Sequence, residues 1–105
     1  MPTEILKPNT HLKLRYTVSR RRRFEFRVEA SNAVSTYIVN DDGFAAFETS
    51  RVGVDTLNDD IPASGGFLNR REHHQDLVLP SSGTWWLLIV NDQDEDVGVH
   101  YEVYI

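Results

Sequence analysis

Cysteine is absent from the 105 residues, methionine occurs once and proline four times. Without a thiol there is no disulfide scaffold, no thiolate zinc site and no cysteine nucleophile. No apolar run approaches the ~18 residues of a membrane-spanning helix. The opening Met-Pro-Thr-Glu-Ile-Leu-Lys-Pro lacks the apolar stretch of a signal peptide, so the expected location is cytoplasmic. Catalytic signatures are also missing: there is no Gly-x-Ser-x-Gly elbow, no phosphate-cradling glycine loop and no His-Glu-x-x-His. The expectation is therefore a protein that is not an enzyme, with a small enzyme of unknown reaction as the third choice.

What the chain does contain is alternation. Leu12, Leu14, Tyr16 and Val18 alternate with Lys13, Arg15 and Thr17; Phe24, Phe26, Val28 and Ala30 alternate with Glu25, Arg27 and Glu29. Near the end, Val99, Tyr101, Val103 and Ile105 alternate with His100, Glu102 and Tyr104. A period of two over such lengths specifies half-buried strands. Residues 33–39 are rich in β-branched side chains and stop at Asn40-Asp41-Asp42-Gly43, a turn signal. Residues 85–90 are apolar on both faces, as in a strand covered from both sides. Weaker strands are expected over residues 67–71 and 75–79. One helical turn over residues 44–48 would take Asp41 or Asp42 as its cap. Residues 51–66 read mostly as a long loop.

Short strands separated by turns predict an all-β antiparallel β-sandwich, jelly-roll-like, with at most one short helical turn. The length fits one domain over residues 1–105, with residues 1–10 loosely ordered. A chain this size buries roughly two-thirds of its unfolded surface, enough for one core without metal or disulfide support.

The net charge of −5 conceals an asymmetry. Through Asn40 there are eight basic and three acidic residues, a balance of +5; from Asp41 onward three arginines face thirteen acids, a balance of −10. Half of the early basic residues stand together as Arg20, Arg21, Arg22 and Arg23. Four adjacent guanidinium groups repel unless solvated or paired, and they match phosphate geometry, so the run is a candidate anion contact. The plainer reading is a solvated hairpin tip between the first two strands. Nucleic acid is disfavoured as a partner by the net acidity and by the lack of a second basic cluster.

Asp92, Asp94 and Asp96 lie in an acidic loop, expected to be the hairpin before the last strand. They are candidate oxygen ligands for calcium, although the glycine and later glutamate of an EF-hand are missing. A solvated turn is the simpler reading, and no cofactor is required. His73 and His74, adjacent on a strand, point to opposite faces and cannot readily share a metal. Trp85 and Trp86 also face opposite ways. One belongs to the core, while the other, if exposed, offers a stacking platform for a sugar, extended by Tyr37 and Tyr104.

The segment Ala33-Val34-Ser35-Thr36-Tyr37-Ile38-Val39-Asn40-Asp41-Asp42-Gly43-Phe44, followed by Leu77-Val78-Leu79-Pro80-Ser81-Ser82-Gly83-Thr84-Trp85-Trp86-Leu87-Leu88-Ile89-Val90-Asn91, resembles small bacterial jelly-roll domains of uncharacterised function, some linked to TIR domains. More distantly, the Gly-Thr-x-x-Leu-x-Val-x-Asn type of segment and the closing alternation are similar to bacterial pre-peptidase C-terminal domains. The resemblance covers residues 24–105 and implies an accessory or interaction module; it carries over no catalytic residue. The expected function is binding, with a protein partner or a homo-oligomer, and the last strand is expected at a sheet edge where another chain could pair. The alternative is a carbohydrate-binding module assisted by calcium.

Overall fold

The computed structural model describes residues 3–50 and 65–105. Its strands are β1 (Thr3–Leu6), β2 (Thr10–Val18), β3 (Arg22–Asn40), β4 (Arg70–Leu79), β5 (Gly83–Asn91) and β6 (Val97–Tyr104), and its helix is α1 (Asp41–Ser50). All strand pairings are antiparallel. The order β1-β6-β3-β5-β2, with β4 also on β3, describes one sheet folded over on itself. The antiparallel sandwich expected from the alternation is the observed architecture.

The folding-over happens inside β3. Two strands expected separately, over residues 24–30 and 33–39, are one strand of 19 residues. Its first half pairs with β4 and β6, while residues 35–40 pair with β5. Between the halves the register breaks: Glu29 faces Glu72, but Val34 faces Arg70, so β3 spends five residue steps against two on β4. Extra residues on one strand force a bend. The bend is pinned by side chains, since Ser31 Oγ accepts from Gly98 N at 2.9 Å and Asn32 Nδ2 donates to Glu95 at 2.6 Å.

One core fills the fold. Phe24, Phe26, Val28, Val34 and Ile38 from β3 meet Leu79, Trp85, Leu87, Ile89, Val97 and Val99. A second, smaller cluster lies on the other face of β5: Tyr37, Val39, Leu88 and Val90 are covered by Phe47 and, less completely, by Phe44 of α1. That coverage explains why residues 85–90 are apolar on both faces. The helix has ten residues rather than one turn, and its cap is Asn40, whose Oδ1 accepts from Gly43 N at 2.9 Å. Asp41 and Asp42 fall in the first turn, where carboxylates favour the helix dipole.

Several connections differ from the expected hairpins. β2 pairs with β5, not with its successor β3; likewise β5 and β6 belong to different halves of the sheet. The segments carrying the arginine run and the acidic run are therefore arches between the two layers. The weak strands expected over residues 67–71 and 75–79 merge into the single β4. Thr3–Leu6, within the first ten residues expected to be loosely ordered, forms β1. The long loop expected over residues 51–66 lies, except for Gly65 and Gly66, outside the described residues.

Gly65 and the residues after it close the second half of the sheet. Ile38 N donates to Gly65 O at 2.9 Å and Thr36 N to Phe67 O at 2.8 Å. Gly66 has φ of 114°, and a Cβ there would stand 2.0 Å from Thr36 O. Both the conformation and the space require glycine. Gly66→Ala is expected to lose on the order of 2 kcal/mol or more in urea unfolding; an unchanged midpoint would show that this segment does not hold the edge of β3.

Candidate interaction surface

Register places the two charged arches at opposite ends of the sandwich. Val18 faces Gly83 at the arginine end and Thr10 faces Asn91 at the acidic end. The nine residues of β2 between them span about 30 Å. Fields between exposed charges decay over ~8 Å at physiological salt, so the arches do not neutralise each other.

At the first end Arg20, Arg21 and Arg22 are exposed. Arg23 belongs to β3 and is spoken for: its Nε donates to Asp76 at 2.9 and 3.1 Å, and its Nη2 also meets that carboxylate. This guanidinium holds the Asp76 carboxyl below its ordinary value. The run is thus split: Arg20 and Arg21 on the arch and Arg22 at the start of β3 are exposed, and Arg23 is in a cross-strand ion pair.

At the other end the organising residue is Asn91, which is fully buried. Its Nδ2 lies 3.0 Å from Leu6 O, 3.1 Å from Lys7 O and 2.9 Å from Glu95 O, while its Oδ1 accepts from Gln93 N at 2.9 Å. One amide thereby ties the end of β1 to the arch. The three aspartates are not gathered. Asp92 is half-buried, Asp94 is exposed, and Asp96 pairs with Lys7 at 3.6 Å. Burial first, and the Asp92 charge second, push the Tyr37 phenol up to about 12. Among the described residues no three His, Asp or Glu side chains are placed to hold a metal ion.

Trp85 lies in the core, 4% exposed, with its Nε1 donating to Ser81 O at 3.0 Å. Trp86 faces the helix. Its ring stacks on Phe44 with centroids 4.0 Å apart and planes at 10°, and its Nε1 donates to Asp41 at 2.9 Å. A sugar platform needs an open ring face; Trp85 has none to offer, and one face of Trp86 is taken by Phe44. Tyr37 is buried in the cluster under the helix, and Tyr104 is exposed on the far layer.

The histidines separate as their alternation requires. His74 is on the outer face and meets Glu25 at 2.6 Å. His73 points inward from β4 and is buried. Its Nδ1 lies 2.9 Å from Thr36 Oγ1, and its Nε2 is 3.0 Å from Val34 O and 2.8 Å from Arg70 O. Two carbonyls can only accept, so Nε2 carries the proton and Nδ1 accepts from the threonine hydroxyl. That hydroxyl in turn accepts from Phe67 N at 3.1 Å. His73 is a strap across the bend.

The outer face of β5 is roofed by α1, but the outer face of the β1-β6-β3-β4 layer has no such cover among the described residues. Its cross-strand rows are mixed in charge, with Arg27 between His74 and Glu102 and Glu29 between Glu72 and His100. Edges remain open too. Among the described residues β2 pairs with β5 alone along its nine residues. The last strand is not simply an edge, as expected, because β6 lies between β1 and β3. However, β1 covers only residues 97–100 of it. From Tyr101 onward, β6 is paired on one side alone among the described residues, and Tyr104 and Ile105 are 53% and 45% exposed. Alternation could not reveal this half-open strand, because it depends on where the four-residue β1 stops.

No family model matches the chain, and no curated protein matches it. Among solved structures, the fold is similar to the pre-peptidase C-terminal domain of a collagenase from Bacillus anthracis, with a TM-score of 0.58 over 94% of this chain and 91% of that one. At 10% identity the likeness is one of fold. It gives the more distant of the two sequence resemblances a structural counterpart.

Two outcomes follow from the polar anchors. Asn91→Asp replaces a double donor with an acceptor facing three carbonyls, and should cost about 3 kcal/mol or more in chemical unfolding; a loss under about 1 kcal/mol would mean the arch does not depend on this amide. Burial lowers the pKa of His73, against the partial opposition of its carbonyl contacts. As pH falls through about 6.5, the unfolded chain takes up this proton before the folded one does, so stability is full above that value and declines below it. The decline should flatten in His73→Gln when urea midpoints are compared on either side of that pH; an unaltered slope would assign it to other groups.

Proposed function

We propose that this chain is a non-catalytic accessory module that works by binding protein, with a second copy of itself as the first partner. The observation that carries the reading is the pair of strand edges on β2 and β6 that no other strand covers among the described residues. Such edges recruit further strands unless charge or cover prevents it. The structural likeness adds support, because the similar structure is one domain of a larger enzyme. Two clefts on the described surface are shallow, one between the start of α1 and the Ser81-Ser82-Gly83 turn and another over Arg27, Glu29, Glu72 and His74.

Light scattering of the purified chain over a rising concentration series tests this reading. The mass should climb toward twice that of the monomer; a mass fixed at the monomer value throughout would remove self-association.

A further inference from the structure

We infer that two copies join through the half of β6 left open among the described residues, 101–104, together with Ile105 just beyond it, in an antiparallel pairing whose two-fold axis passes at Val103. The inference rests on the self-association reading above and specifies its edge, its register and its contacts.

Charge selects the edge. If two β2 strands paired about Leu14, Lys13 of one copy would stand opposite Arg15 of the other, twice over. Like charges directly opposite are destabilising, and a basic edge is a device against such pairing. β4 presents Arg70, Arg71, Glu72 and Asp76 along its length. The open part of β6 carries a single charge, Glu102, among Tyr101, Val103, Tyr104 and Ile105.

The same reasoning selects the register. Residues facing each other across an antiparallel pair lie on the same face. Centring on Glu102 would oppose two carboxylates and would require His100, whose edge β1 already occupies. Centring on Tyr104 would leave fewer of the exposed residues paired. Centring on Val103 uses all five open positions and no covered one. Val103 then faces its own copy, Tyr101 faces Ile105, and Glu102 faces Tyr104.

The contacts fit this arrangement on both faces. On the inner face, Tyr101 and Val103 are only partly buried against the core, while Ile105 is 45% exposed. Pairing lays each Ile105 over the other copy's Tyr101. On the outer face, Tyr104 OH already donates to Glu102 of its own chain. The paired strand offers the same hydroxyl–carboxylate contact between chains, with Arg27 opposite Glu102 on β3 to balance the charge.

Val103→Cys tests the register, because the chain has no other thiol to compete. Under mild oxidation it should form a disulfide-linked dimer, whereas Leu14→Cys, the self-facing position of a β2 pair, should not. Ile105→Glu, at an exposed position, should raise the dimer dissociation constant at least about tenfold while leaving the unfolding midpoint of the dilute monomer unchanged. If the wild-type chain dimerises but Leu14→Cys crosslinks and Val103→Cys does not, or Ile105→Glu leaves the dimer intact, the β6 interface is overturned and the self-association reading stands. If the wild-type chain is monomeric at every concentration, both fall.

Discussion

β3 is the constraint on which the rest of the molecule depends, because one continuous strand serves as a member of both layers. Its apolar face must remain inward on each side of the bend, so the turn from one layer to the other has to occur without losing side-chain phase. The insertion of residues 30–33 against β4 achieves this. Phe24, Phe26 and Val28 on one side and Val34 and Ile38 on the other reach the same core. With β3 placed, β4 and β6 are set beside its first half and β5 beside its second. The remaining strands then have only the outer positions left.

Polar groups, more than apolar ones, hold the bend in place. Apolar burial favours closure of the two layers but is non-directional, and would tolerate neighbouring registers. Ser31, Asn32, Thr36 and His73 supply direction. The hydroxyl of Thr36 gives its proton to His73 and accepts from Phe67, while His73 reaches two carbonyls on opposite strands. Each is satisfied only when β3, β4 and the segment after Gly65 are all correctly placed. Buried polar groups left without partners cost about 1–3 kcal/mol each, so the wrong register is penalised at several sites together.

The strands were legible in the sequence because their phase is local: each run of alternating residues reports its own burial. The double-sided coverage of β5 was legible for the same reason, since Trp86, Leu88 and Val90 have no use for an apolar outer face without something over it. What could not be read was which strand lies beside which. The arginine and acidic runs look like hairpin tips when only neighbours in sequence are considered, yet both are arches, because β3 changes layers between them. The burial of His73 and Asn91 was not legible either, because each is held by backbone carbonyls that only the fold brings to it. The open half of β6 is a purely topological fact, since nothing in Tyr101 or Val103 records the length of β1.

The division of charge into a basic and an acidic half acquires a meaning from this topology. The arches are separated by several screening lengths, so neither is a structural counterion for the other. An end-to-end assembly would bring unlike arches together but would not close, and heterologous contacts of that kind extend into filaments. Lateral pairing on β6 closes after two copies. It also disposes of the repulsion between like ends: because the strands run antiparallel, the two Arg22 positions fall roughly 26 Å apart along the strand direction, on the order of three screening lengths at physiological salt. The basic arches then project from opposite sides of the shared sheet. In the proposed dimer charge therefore does not drive the association; it excludes the alternatives, and the few apolar residues on the half of β6 left open among the described residues decide where the contact would form.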